Sequence, residues 1–168
     1  HSIYLNLVYS DGENIAWQTT GKIPVRSKGN GQLPSIAAEG YRWKSYLPFE
    51  QQPHRENPAS GFLVTANERT VPKDDKRKIS SVWYSPERSE RISDLLSAKD
   101  DWQGTDAQKM QLDLYSRMAE KTQLVFKSIE GELNAAIAKL PAKKQAHAKA
   151  ALAILKNFDN TMTKNSQG

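Results

Sequence analysis

Apolar residues are spaced in two different ways along this chain, and the change falls at about residue 82. In the first part they come in short bursts. Ile3-Tyr4-Leu5-Asn6-Leu7-Val8-Tyr9 and Asn14-Ile15-Ala16-Trp17-Gln18-Thr19 predict two strands joined by Ser10-Asp11-Gly12-Glu13, because an Asp-Gly pair supplies the positive φ values of a tight hairpin turn. Gly61-Phe62-Leu63-Val64-Thr65-Ala66, β-branched and aromatic after an opening glycine, predicts a short buried strand that ends at Asn67. Between these bursts, Trp43 to Pro53 is aromatic and apolar but broken by Pro48 and Pro53, with Pro58 close behind. Proline cannot continue a helix, so this stretch reads as an ordered surface loop. Gly21 to Gln32, rich in glycine and basic residues, also reads as a loop.

In the second part the spacing becomes helical. Ser85-Pro86-Glu87 is a helix start, with a capping serine, proline pre-set at the first position, and glutamate favoured by the helix dipole. Ile92, Leu95 and Leu96 then share a face. Thr105-Asp106-Ala107-Gln108 has the form of a capping box and predicts a helix carrying Met110, Leu114 and Met118 four apart. A further helix is expected over Val125 to Leu140. Pro141 opens a last, alanine-rich one that gathers Ile154, Leu155, Phe158 and Met162 on one side. The class is therefore α+β, with a strand and loop segment over 1–82 and a helical segment over 83–168, its helices ending near 162. The polar end from Thr163 reads as a frayed terminus.

Composition narrows the function classes. No apolar run approaches the ~20 residues that span a bilayer. The absence of cysteine excludes disulfides, thiolate metal sites and a cysteine nucleophile. A net charge of +5 invites a polyanion partner, but the basic residues cluster in Lys73 to Lys78 and Lys139 to Lys149, which read as a solvated loop and helix face, and no nucleic-acid recognition signature is present. The opening His1-Ser2-Ile3, without methionine and already inside a strand-like run, is expected to belong to a piece of something longer.

Candidate chemistry is sparse when read residue by residue. His1, His54 and His147 are scattered, without a second ligand at helical spacing. Gly29-Asn30-Gly31 lacks the lysine and helix of a phosphate-cradling loop, so it reads as a turn. Asp74-Asp75 carries oxygen ligands suited to calcium, but interleaved Lys and Arg favour a solvated charged loop. By themselves, Asn67 reads as a turn residue and Arg88 as an exposed first-turn helix residue.

The order of motifs adds to this reading. Gly21, Pro24 and Arg26, then Leu33-Pro34, Trp43, Leu47-Pro48-Phe49-Glu50, Asn57-Pro58, Gly61 and Thr65-Ala66-Asn67 together resemble the penicillin acylase family of N-terminal-nucleophile hydrolases. Arg88, Arg91-Ile92, Leu95-Leu96, Gln111, Asp113 and Ser116 keep that family's order, so the resemblance covers about three quarters of the chain.

The resemblance implies an internal fragment of the large (beta) subunit of an αββα hydrolase, whose partners are the alpha subunit and the rest of the beta subunit. It implies cleavage of an acyl-amine amide, of penicillin or N-acyl homoserine lactone type, by a serine freed at a new N-terminus by self-cleavage, with its own α-amine as base. Ser2 is not that serine, since it leads into a strand matching a later part of the subunit. The nucleophile therefore lies outside this chain, and the fragment alone is expected to be inactive. Asn67 falls on the asparagine whose amide donates into the oxyanion hole, and Arg88 on an arginine flanking it. Glu68 departs from the second asparagine common in the family, and a carboxylate beside an oxyanion opposes it unless turned away. A periplasmic or secreted location, and calcium in the intact enzyme, are further implications. No cofactor, membrane or nucleic-acid partner is expected. The runner-up is a non-enzymatic binding module presenting Trp17, Trp43, Tyr46 and Phe49 to a sugar or acyl ligand.

Overall fold

The computed structural model describes residues 4–166, so His1, Ser2 and the start of the first expected strand at Ile3 lie outside the described residues. Mixed α and β structure is present, divided into two compact units, His1–Ser89 and Glu90–Gly168.

The first unit is built on the expected hairpin. Strand β1 (Asn6–Ser10) pairs antiparallel with β2 (Ile15–Thr19), from Asn6 opposite Thr19 to Ser10 opposite Ile15. Asp11 and Gly12 divide the work of the turn differently from the expectation. Gly12 alone takes a positive φ, of 95°, while the Asp11 carboxylate accepts the N–H groups of Glu13 and Asn14 at 3.0 and 2.6 Å. Those bonds, led by the one from Asn14, hold the Asp11 carboxyl below the usual carboxylate range.

Two short strands lie in stretches expected to be loop, and a third forms at residues 54–56, for which no element was expected. β3 (Pro24–Arg26) pairs with β4 (Trp43–Tyr46), and β5 (His54–Glu56) adds to the free edge of β2, giving the order β1-β2-β5 beside a separate two-stranded ribbon. Their sequences carry proline, lysine, serine and charge, so pairing rather than propensity makes them strands. Pro48 still interrupts, opening a single 3₁₀ turn at Phe49–Gln51. Asn57 then extends the sheet with its side chain: Oδ1 accepts the Ile15 N–H at 2.9 Å and Nδ2 donates to Asn14 Oδ1 at 2.8 Å. Its φ of 40° is one that asparagine tolerates better than most residues.

Residues 61–66 are a correction in the other direction. They form no strand among the described residues. A β-rich sequence favours extension, but a strand also needs a neighbouring ladder, and the bonds here are a turn from the Gly61 N–H to Pro58 O and side-chain bonds to Phe62 O and to both backbone groups of Ala66. The buried apolar residues of this unit, among those described and besides Pro24 and Pro53, are Trp17, Ile23, Ala66 and Val71, with the Trp17 indole N–H on Asn6 Oδ1 at 3.0 Å.

The helices begin at α1 (Glu87–Leu96), directly after Ser85-Pro86 as expected. α2 (Gly104–Gln111) is capped two residues early. Its capping box uses Gln103 and Asp106, whose carboxylate accepts the Gln103 N–H at 3.0 Å, rather than Thr105 and Gln108. The expected single stripe of Met110, Leu114 and Met118 is broken, because α2 ends at Gln111. The chain there extends to bridge Tyr115 with Thr161, and Ser116 caps α3 (Arg117–Ser128) by accepting the Ala119 N–H. The helix expected over Val125 to Leu140 is instead the end of α3 and a separate α4 (Glu130–Ala138). α5 (Ala142–Asn157) follows Pro141 but stops before Phe158 and Met162.

Charge pairs and side-chain caps hold this second unit, whose buried apolar residue among those described is Ile137. Arg91 meets Asp113 through two bonds of 2.8 and 2.7 Å and lies over the Tyr115 ring at 4.5 Å. Arg117 reaches Asp94 and Glu120, Lys121 reaches Glu90, and Lys156 pairs with Glu130. Gln123 Nε2 caps the end of α5 on Leu155 O and Phe158 O, both at 2.7 Å. Arg91, Asp113 and Ser116 of the downstream motif are thus building residues here.

The two-pronged Arg91–Asp113 pair yields a signed pH effect. Arg91 holds the Asp113 carboxyl below the usual range, so its stabilisation is complete above the unfolded value near 4 and is lost as pH falls through the lower folded value. Asp113→Asn is expected to cost about 1 kcal/mol at pH 7. In thermal melts the gap between wild type and variant should narrow progressively as the pH falls below about 4.

Candidate functional site

Asn67 sits in a turn, exposed, with φ of 70°. This left-handed conformation is uncommon for a side-chain-bearing residue and is found disproportionately at functional sites. Successive peptide units around it are pinned. The Glu68 carboxylate, through Oε2, accepts the Ala66 N–H at 2.7 Å. Arg88 Nη2 donates to Ala66 O at 2.5 Å, and the Tyr84 N–H donates to Asn67 O at 3.1 Å. Arg88 reaches this turn from the first turn of α1, which Ser85-Pro86-Glu87 starts at a defined place.

The same Arg88 nitrogen donates to Asn67 Oδ1 at 2.6 Å. A guanidinium has donors only, so the atom facing it must be the amide oxygen, and the NH₂ group is turned the other way. Asn67 Nδ2 has no hydrogen-bond partner among the described residues. The result is a neutral double donor with a fixed orientation, held by a charge that never titrates. Such a group can stabilise negative charge that appears only during a reaction. The resemblance placed Arg88 beside Asn67, and the structure has the two in contact. The Arg88 partner on Ala66 O and the grip of Glu68 had no signal in the sequence.

Other candidates have structural places. Trp17, opposite Arg55 in the β2–β5 pairing, is 7% exposed and so is not presented at the surface. Trp43, Tyr46 and Phe49 are exposed, with the Trp43 and Tyr46 rings edge to face at 6.2 Å. His54 Nδ1 lies 2.9 Å from Gln52 O, and His147 is exposed on α5. Asn30 in the glycine turn binds Gln32.

The Asp74-Asp75 segment does not fit calcium. Arg77 occupies both Asp75 oxygens, with its backbone N–H on Oδ1 at 2.8 Å and Nη2 on Oδ2 at 2.5 Å, and its Nη1 donates to Gln51 O. Arg77 also holds the Asp75 carboxyl below its ordinary range. Among the described residues no group of three or more His, Asp or Glu side chains could hold a metal ion. No helix is long and apolar enough to cross a membrane among the described residues.

The fold is similar to that of a thermostable penicillin G acylase from Alcaligenes faecalis, with a TM-score of 0.63 over 98% of this chain and 29% of that one, at 20% identity. The mixed α and β class is thus shared with that acylase. The sequence model of the penicillin amidase family matches residues 1–168, and the chain belongs to that family. It is 37% identical over 98% of its length to the acyl-homoserine lactone acylase QuiP of Pseudomonas syringae pv. tomato, and 32% identical over 66% of its length to the penicillin acylase 2 proenzyme of a Pseudomonas species. It spans about a fifth of the QuiP relatives' length and 15% of the penicillin acylase 2 proenzyme.

Asp75→Asn separates the two readings of the charged loop. Loss of the Arg77 clamp should lower stability by no more than about 1 kcal/mol. Calcium affinity measured by titration calorimetry should be the same in variant and parent.

Proposed function

We propose that this chain is part of an amidohydrolase that cleaves the amide between an acyl group and an amine, with N-acyl homoserine lactones as the first substrate class to test and penicillins as the second. The order of preference follows the relatives: those with 37% identity are acyl-homoserine lactone acylases, while the penicillin acylases match at 32% and 31% over shorter stretches. The nucleophile is a serine outside this chain, exposed at an N-terminus by processing, and the partners of this segment are the remaining parts of the same acylase. Calcium, if the intact enzyme uses it, is held away from residues 73–78.

In this mechanism the serine oxygen attacks the amide carbon, and the carbonyl oxygen gains negative charge. Asn67 Nδ2 donates to that oxyanion, while Arg88 keeps the amide from flipping and its Oδ1 from facing the charge. The single observation that carries the reading is the Arg88–Asn67 contact at 2.6 Å, which leaves the NH₂ as a fixed donor. Glu68, the departure from the family's asparagine, is engaged with the Ala66 N–H.

The positive φ selects the test. Asn67→Gly removes the donor without straining the backbone, unlike alanine. In the full-length enzyme it should lower kcat roughly 10²- to 10³-fold with KM nearly unchanged and Tm preserved. Unchanged kcat would make Asn67 a turn residue and remove the site assignment.

The isolated 168-residue chain should release no homoserine lactone from an N-acyl homoserine lactone in an amine-release assay. Turnover abolished by Ser2→Ala would instead place the nucleophile within this chain.

A further inference from the structure

We propose that Glu68 is a positioning residue for the Asn67 amide, acting through the backbone. This rests on the reading of Asn67 as the oxyanion donor. A free carboxylate next to that donor would oppose the developing charge, and the structure gives this one a different task. Glu68 Oε2 accepts the N–H of Ala66, two residues upstream, at 2.7 Å. Arg88 takes the Ala66 carbonyl on the far side of the same Cα, and the Tyr84 N–H takes the carbonyl of Asn67.

These bonds have consequences for geometry and for charge. The Thr65–Ala66, Ala66–Asn67 and Asn67–Glu68 peptide planes each have one group fixed from outside the turn or across it. Ala66 is buried, and with the flanking planes held the Cα–Cβ bond of the left-handed Asn67 has a set direction, along which Arg88 then holds the amide. An amide donor is useful only when its N–H points at the oxyanion within a few tenths of an ångström, so loosening one plane costs rate rather than binding. A carboxylate hydrogen-bonded to a backbone N–H also has its charge partly satisfied there. Among residues near the turn, Arg88 fixes the amide's orientation, and Glu68 fixes the backbone that carries it.

The test is a double-mutant cycle in the full-length enzyme, following release of homoserine lactone from an N-acyl homoserine lactone. Glu68→Ala should lower kcat about tenfold with KM unchanged, and Glu68→Gln, whose Oε1 can still accept the Ala66 N–H, should restore kcat to within about threefold. Because Glu68 acts through Asn67, Glu68→Ala should have no further effect on kcat in an Asn67→Gly background. A merely structural glutamate would lower Tm and kcat equally in both backgrounds, which overturns the proposal, as does an unchanged kcat in Glu68→Ala. If Glu68→Ala does not fold, Glu68→Gln and Glu68→Asp decide: aspartate is one methylene short of the N–H. A kcat that falls for Asp and not for Gln supports the hydrogen bond, whereas the reverse order overturns it. Asn67→Gly alone distinguishes the two levels. If it collapses kcat while the Glu68 series is flat, only the positioning role fails; if it leaves kcat intact, the donor reading fails and the role of Glu68 goes with it.

Discussion

One guanidinium sets the geometry on which the functional reading depends. Arg88 places a single nitrogen between Ala66 O and Asn67 Oδ1, so it ties the backbone of the turn and the orientation of the side chain together. An asparagine amide alone is nearly symmetric in shape and could face either way; beside a group with donors only, it cannot. Charge-assisted bonds of this type are about twice as strong as neutral ones, which is ample to fix a single side chain. Both bonds come from one Nη2, whose two N–H groups lie in the fixed guanidinium plane, a direction that the freely rotating ammonium of lysine would not set.

The same economy runs through the rest of the chain. Besides Pro24 and Pro53, its buried apolar residues among those described are Trp17, Ile23, Ala66, Val71 and Ile137, and no large side chain is fully buried. Local order comes instead from polar side chains that take over backbone bonds: Asp11 in the hairpin turn, Asn57 at the sheet end, Gln52 on Gly21 O, and Gln123 at the end of α5. Each is worth about 1 kcal/mol, so each defines its neighbourhood rather than the whole. Meanwhile Leu7, Val8 and Tyr9 on β1, and Leu124 and Val125 on α3, remain exposed. A turn that is to aim a donor in such a scaffold has to be held by its own bonds, and the one around Asn67 is tied at Ala66 N–H, Ala66 O and Asn67 O.

What the sequence determined was whatever its own neighbours could enforce. The hairpin at Asp11-Gly12, the helix start at Ser85-Pro86-Glu87 and the last helix after Pro141 follow from turn residues and proline placement within a few residues. Motif order, a one-dimensional property, was enough to assign the family and to single out Asn67 and Arg88. Tertiary structure decided everything that needs a partner from elsewhere. β3, β4 and β5 are strands because another strand lies beside them, while residues 61–66, richer in β-formers, have no ladder and stay irregular. The stripe from Met110 to Met118 was helical by spacing, yet the pairing of Tyr115 with Thr161, 46 positions on, broke it. Glu68 looked like a liability beside Asn67 until the Ala66 N–H was found under its carboxylate. Periodicity and capping are local, but hydrogen-bond partners are chosen in space, so a sequence read alone can name the residues of this site and not the bonds that aim them.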